Sequence, residues 1–247
     1  MTDLLALTLG NTSVAAAGAA ADGALRDVRR EPLKRLEALL GPRLEAAEGP
    51  VIVCSVSPPA LARLRRTTEA AGRDPPLVAG EDFPIPIQTG VDEPDRVGTD
   101  RLLAALAAYR RAGGACIVVD AGTAVTVDAV DAGGTFLGGA IFPGPGLMAR
   151  SLAEGTARLP AVEIQSAAAL ERPIGKDTEA AIRSGVTRAV AAAVARLAVD
   201  MRDEIGNTVS VYVTGGYAPP ADDRRWMVLP DLVLEGLLLA WREHREP

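Results

Sequence analysis

Histidine is nearly absent from this chain; His244 is the only one. That argues against Ser/His or Cys/His nucleophilic catalysis and against any histidine-based metal site. Cysteine is almost as scarce. Cys54 and Cys116 each close or open an apolar run, Val51-Ile52-Val53-Cys54 and Cys116-Ile117-Val118-Val119. Both read as buried, reduced core thiols rather than as a disulfide or a reactive nucleophile. Aromatics make up 3% of the residues, no basic run occurs and the net charge is −6. Nucleic acid is therefore not an expected partner, because phosphate neutralisation and base stacking both lack their usual side chains. The first residues enter an apolar strand without a basic region and break early at Gly10-Asn11-Thr12. Neither a secretion signal nor a membrane span is expected, and the reading is cytoplasmic. Catalysis, if present, must rest on carboxylates, backbone amides, hydroxyls and bound ions.

What the chain does have is a short pattern written twice. The later copy is Val118-Val119-Asp120-Ala121-Gly122-Thr123, followed by Ala124-Val125-Thr126-Val127-Asp128. The earlier is Leu7-Thr8-Leu9-Gly10-Asn11-Thr12, followed by Ser13-Val14-Ala15-Ala16. Each reads as a β-hairpin with a tight glycine turn, reaching a second turn at Asp22-Gly23 or Gly133-Gly134. Such a turn can offer backbone N–H groups and a hydroxyl to a phosphate. Thr8 stands where the second copy has Asp120. A carboxylate at a buried strand end is costly unless it meets a cation or hydrogen-bond donors.

At 247 residues, with 48% hydrophobic and 23% charged residues, the length spans one to two globular domains. Three short strands are expected over residues 3–30, then a helix over 32–47 opened by Pro32, a strand at 51–54 and a helix after Pro58-Pro59. Leu77-Val78 reads as a short strand. The prolines of Phe83-Pro84-Ile85-Pro86-Ile87 restrict that segment to an edge strand or a linker. Thr99 is expected to cap a helix ended by Gly113-Gly114. The second half repeats the order, with strands near 115–120, 123–131 and 135–141 and a helix near 147–155. A long Ala-rich helix over 177–203, a strand at 209–213 and a helix near 231–243 follow. The division is 1–112 and 113–247. The order βββαβα, given twice, is that of the duplicated ribonuclease H-like α/β fold of actin, hexokinase and Hsp70. In that fold ATP lies in a cleft between two halves; taken alone, the analogy implies only a phosphotransferase or nucleotide switch.

Residues 91–101, Val-Asp-Glu-Pro-Asp-Arg-Val-Gly-Thr-Asp-Arg, form a second constellation. A helix start with an adjacent arginine and carboxylate can bind an anionic substrate and orient a hydroxyl. Equally, Asp100 could merely complement the helix dipole and Arg101 be solvated. Gly175-Lys176-Asp177-Thr178 is not a P-loop, since Leu170 occupies the required glycine position; it can be a helix start capped by Asp177 or Thr178. Glycines 138, 139, 144 and 146 lack dinucleotide-binding spacing. Thr214-Gly215-Gly216 is either a nucleotide-approach site or a plain turn.

Taken together, these pieces resemble type III pantothenate kinase. They are Leu9 to Thr12, Val91 to Arg101, Val118 to Thr123, Leu137-Gly138-Gly139-Ala140-Ile141-Phe142-Pro143-Gly144, Thr156-Ala157-Arg158-Leu159-Pro160, Ile174 to Thr178, and Thr214 to Gly216. The resemblance implies ATP-dependent phosphorylation of pantothenate, the first step of coenzyme A synthesis. It implies that Thr8, Gly10, Asn11, Thr12, Thr123, Gly215 and Gly216 serve ATP. By the same resemblance Val91, Gly98, Thr99, Asp100, Arg101 and Thr178 serve pantothenate, with Asp100 as general base. Asp120 would ligate a monovalent cation, potassium or ammonium, and Mg²⁺ would accompany ATP. A homodimer is expected, with Thr178 reaching pantothenate across subunits and the small side chains of 186–199 permitting close helix approach. Two positions depart from the family pattern: Thr8 replaces an Asp that manages the Mg²⁺–phosphate end, and Val91 replaces a Tyr that lines the substrate pocket. The alternative implied by Thr8 is a nucleotide-binding accessory protein, a role under which some family members were first noticed.

Overall fold

Short apolar runs between glycine turns build the first sheet. The computed structural model describes residues 4–19, 24–164, 172–206, 208–218 and 226–245. In it β1 (Leu4–Leu9), β2 (Ser13–Ala19) and β3 (Leu25–Pro32) form an antiparallel meander. The turn expected at Asp22-Gly23 lies outside the described residues. A 3₁₀ turn at Leu33–Arg35 leads into α1 (Leu36–Ala46). β4 (Val51–Ser55) then pairs in parallel with β1, and α2 (Pro58–Ala70) starts on two prolines. Proline is well placed there, because the first amides of a helix have no internal acceptor. β5 (Leu77–Val78) completes the sheet order β3-β2-β1-β4-β5.

Both faces of β1 are covered, which is why its sequence is almost continuously apolar. Leu5, Leu7 and Leu9 join Leu36, Leu40, Leu44 and Leu64 from α1 and α2. Leu4 and Ala6 face the opposite core, with Ile52 and Cys54.

β6 is only Gln88–Thr89, an edge strand in the second sheet; the prolines before it stay outside the ladder. α3 (Thr99–Ala112) precedes a second meander of β7 (Cys116–Ala121), β8 (Ala124–Val130) and β9 (Thr135–Pro143). After α4 (Pro145–Gly155) and α5 (Thr178–Ile205), β10 (Ser210–Thr214) pairs in parallel with β7, and β11 (Trp226–Val228) with β10. α6 (Leu232–Arg245) ends the fold. The second order is β11-β10-β7-β8-β9-β6, the first plan repeated with β6 added at one edge. Register makes the repeat specific: Thr8 pairs with Ala15 and Cys54, and Asp120 with Thr126 and Thr214.

The chain divides into two compact units, each assembled from separate stretches of sequence. One comprises Met1–Gln88, Asp92–Ala107 and Asp231–Pro247; the other Thr89–Val91 and Ala108–Pro230. α6 joins the first unit because its apolar face packs there. Leu234, Leu237, Leu238 and Trp241 share a core with Leu103 and Leu106 of α3 and with Ala6 and Ile52. Gly236 permits the approach, since a β-carbon there would lie 2.0 Å from the Leu103 carbonyl oxygen. Asp231, just ahead of α6, pairs with Arg30 of β3. In the second unit Ile117, Val119, Val125 and Val127 pack under Val190, Val194 and Ala198 of α5. Among the described residues, no helix is long and apolar enough to cross a membrane.

Candidate functional site

In the first unit, the turn after β1 closes by a hydrogen bond from the Gly10 amide to the Ser13 carbonyl, 3.0 Å long. Asn11 and Thr12 are exposed at its tip, and Thr8 is half-buried one residue before the strand end. Side chains alternate along a strand, so Thr8 shares the sheet face of Ala6 and, across the register, of Cys54. That face carries the start of α3: the Thr99 hydroxyl lies 3.5 Å from Cys54 Sγ. Thr8 and the Gly98–Arg101 segment, ninety residues apart by number (98 − 8), are thus brought to one face of one sheet.

The helix start differs from the sequence expectation. Gly98, not Thr99, holds the cap position, its carbonyl accepting from the Arg101 amide at 3.1 Å and the Leu102 amide at 3.3 Å. Thr99 turns inward to the thiol because a tertiary contact there outweighs local capping. The Asp100 carboxylate folds back so that Oδ1 accepts from the Arg101 amide at 2.8 Å. A β-carbon at Gly98 would sit 2.6 Å from that oxygen, so any larger residue there would have to displace the carboxylate from this position. Gly98, Thr99, Asp100 and Arg101 are all half-buried, so the carboxylate is held in place yet reachable.

In the second unit, the equivalent turn closes from the Gly122 amide to the Ala124 carbonyl at 2.9 Å. Asp120 is half-buried, not fully buried as the sequence implied. Its Oδ1 lies over Gly215, where a β-carbon would be 2.6 Å away, and near Gly122, where one would be 3.8 Å away. Gly215 has φ +94°, and the Tyr217 amide returns to the Ala121 carbonyl at 2.9 Å. Thr123, half-buried, is clamped from the other side: the Gly144 amide donates to its carbonyl at 2.9 Å. A β-carbon at Gly144 would lie 2.1 Å from the Gly122 carbonyl oxygen. Asp120, Thr123 and Gly215-Gly216 therefore meet at the ends of β7 and β10. Val91 stands elsewhere in the unit, its Cγ1 3.2 Å from where a β-carbon of Gly138 would be. Thr178 is exposed on the first turn of α5, which Asp177 caps by accepting from the Ala180 amide at 2.7 Å.

Asp128, read in the sequence only as the end of the second copy's strand, is 1% exposed and is a fully buried carboxylate of this sheet. It lies opposite Gly139, where a β-carbon would be 2.6 Å from Asp128 Oδ1. The paired glycines 138 and 139 were the available signal. Burial pushes the Cys116 thiol up to about 12, in keeping with an inert core thiol. Cys54 and Cys116 are both buried, and neither is in a disulfide.

A model of the type III pantothenate kinase family matches residues 4–200. A type III pantothenate kinase of Dehalococcoides mccartyi is 37% identical over 195 residues, covering 78% of this chain and 74% of the relative. One from Rhodospirillum rubrum is 37% identical over 201 residues, covering 78% and 76%. This chain belongs to the type III pantothenate kinase family. Solved structures share its fold at low identity. A Baf family protein of Campylobacter jejuni matches with TM-score 0.62 and 18% identity, covering 98% of this chain and all of that one. A ROK family glucokinase of Streptomyces griseus matches with TM-score 0.51 and 12% identity, covering 99% of each chain. The fold is the duplicated α/β fold of actin, hexokinase and Hsp70, as the repeated hairpins imply.

For a member of this family the donor set decides what ions can be held. Among the described residues, no three His, Cys, Asp or Glu side chains gather as a metal cage. Asp120 instead has a threonine on each side in register, Thr126 and Thr214. The Thr126 hydroxyl is buried without a hydrogen-bond partner. One carboxylate with hydroxyls in register on either side is an all-oxygen donor set, the kind a hard cation takes.

Proposed function

We propose that this chain transfers the γ-phosphoryl group of ATP to the primary hydroxyl of pantothenate, giving 4'-phosphopantothenate and ADP. Family membership supports the reaction, and the start of α3 is the observation that carries the assignment of residues. A carboxylate fixed by a backbone amide beside Gly98, with Arg101 next to it, suits an alcohol carried on an anion. Gly98, Thr99 and Arg101 hold pantothenate, and Val91 contributes an apolar wall. Asp100 accepts the hydroxyl proton as the oxygen attacks phosphorus. The new O–P bond forms as the β–γ bridging bond breaks, and ADP leaves with those electrons.

Phosphoryl transfer asks the protein for in-line placement and charge neutralisation more than for covalent chemistry. The Gly10-Asn11-Thr12 turn, Thr123, Gly215 and Gly216 position the nucleotide through amides and hydroxyls, with Thr8 at the phosphate end. Asp120 would hold the potassium or ammonium ion. Mg²⁺, when bound with ATP, neutralises the β- and γ-phosphates and would find a hydroxyl rather than a carboxylate at position 8. The active form is a homodimer in which Thr178 serves the partner's pantothenate; a monomer by sedimentation at micromolar concentration would contradict this.

Thr8 favours one second reading, a weakly active nucleotide-binding accessory protein. Losing one electrostatic group costs about 2–4 kcal/mol of transition-state stabilisation. That slows turnover about 30- to 1000-fold without removing it. The test is Asp100→Asn, which keeps an oxygen for the Arg101 amide. Pantothenate-dependent ADP release should vanish while the melting temperature stays; activity within threefold of wild type would remove Asp100 as base.

A further inference from the structure

The two hydroxyls that flank Asp120 are in different states. Thr214, opposite Asp120 on β10, donates to the Pro230 carbonyl at 3.3 Å. Thr126, opposite Asp120 on β8, has its Oγ1 buried with no hydrogen-bond partner. Buried hydroxyls are almost always paired, so an orphan marks a place where something is meant to bind. No polar group comes from the far face of this strand, because Val125 and Val127 point into the apolar core under α5. Along its own row Thr126 meets Asp120 on one side and Ile141, 61% exposed, on the other. Directly opposed residues on antiparallel strands have β-carbons about 5 Å apart, so the Thr126 hydroxyl and the Asp120 carboxylate can share one small ion.

We propose that Thr126 Oγ1 is a second protein ligand of the monovalent cation held by Asp120. The inference rests on the reading of Asp120 as a cation ligand. A hard cation takes oxygen donors, and a neutral hydroxyl adds one to the carboxylate of Asp120. The hydroxyl satisfied by the ion explains why a threonine, rather than a valine of the same shape, is tolerated where its side-chain oxygen is buried.

Thermal melting of the whole protein, with Mg-ADP present, is followed as choline chloride is exchanged for KCl at constant ionic strength. Wild type should gain stability with a saturable midpoint. Thr126→Val should move that midpoint about tenfold higher, as loss of one ion-organising group does. Its melting temperature in choline chloride alone should be unchanged or higher, because an unpaired hydroxyl has been replaced by a methyl. Thr126→Ser should restore the wild-type midpoint. A lower melting temperature in choline with an unmoved midpoint would make Thr126 merely structural and overturn the proposal. If Asp120→Asn abolishes the potassium response while Thr126→Val does not alter it, only the role of Thr126 falls. If neither variant alters it, or wild type shows no response, the cation site at Asp120 falls as well.

Discussion

Gly215→Ala should loosen the second unit at the place where its candidate residues converge. Gly215 has φ +94°, a backbone conformation that side chains resist. A β-carbon would lie 2.5 Å from the Ala121 carbonyl oxygen and 2.6 Å from Asp120 Oδ1. The carboxylate could rotate aside, but the carbonyl belongs to β7 and can move only with the strand. Left-handed backbone costs about 1–2 kcal/mol for a residue with a β-carbon. Overpacking against backbone adds about 1–3 kcal/mol. A loss of about 3 kcal/mol corresponds to a melting temperature lower by about 6–12 °C in a chain of this size. Gly216 is the control: no atom lies within 4 Å of its would-be β-carbon, so Gly216→Ala should change stability by less than about 0.5 kcal/mol. Thermal melting of the three proteins decides. A Gly215→Ala variant that melts with wild type would refute the close approach of β7 to this turn.

Thr8→Asp should raise kcat about tenfold or more with little change in the pantothenate KM, because a carboxylate there acts in the transition state; unchanged kinetics in an already fast wild type would show that the Asp is dispensable. The Cys116 thiol, raised by burial to about 12 from 9.0, stays protonated in the folded state when the unfolded chain has already ionised. Its contribution is therefore complete below about pH 9 and falls by about 1.4 kcal/mol per pH unit as pH rises towards 12. Urea unfolding of Cys116→Ala should show a shallower alkaline loss than wild type, and parallel curves would discount the thiol.

Much of the fold was written locally. Gly10 and Gly122 punctuate apolar runs, so the two hairpins and the match of Thr8 to Asp120 followed from turn chemistry and alternation. α5 was legible because alanine favours helix and Val186, Val190 and Val194 recur at one-turn spacing. What the sequence hid was decided by distant partners. Thr99 has an excellent capping side chain, yet Cys54, forty-five residues earlier (99 − 45 = 54), takes its hydroxyl. α6 belongs with the first sheet because Gly236 fits against Leu103, and a glycine inside a helix was the only hint. Asp120 and Asp128 looked alike in sequence, but strand position leaves one half-buried and the other 1% exposed. Gly144 read as part of a loop, whereas its amide clamps the Thr123 carbonyl.

The central claim is that this chain phosphorylates pantothenate, and product identification tests it most directly. The purified protein is incubated with ATP, Mg²⁺, KCl and pantothenate, and the mixture is resolved by mass spectrometry alongside a pantothenate-free blank. 4'-Phosphopantothenate should accumulate in step with ADP, and only when pantothenate is present. ATP bound or hydrolysed with no phosphopantothenate formed would contradict the account.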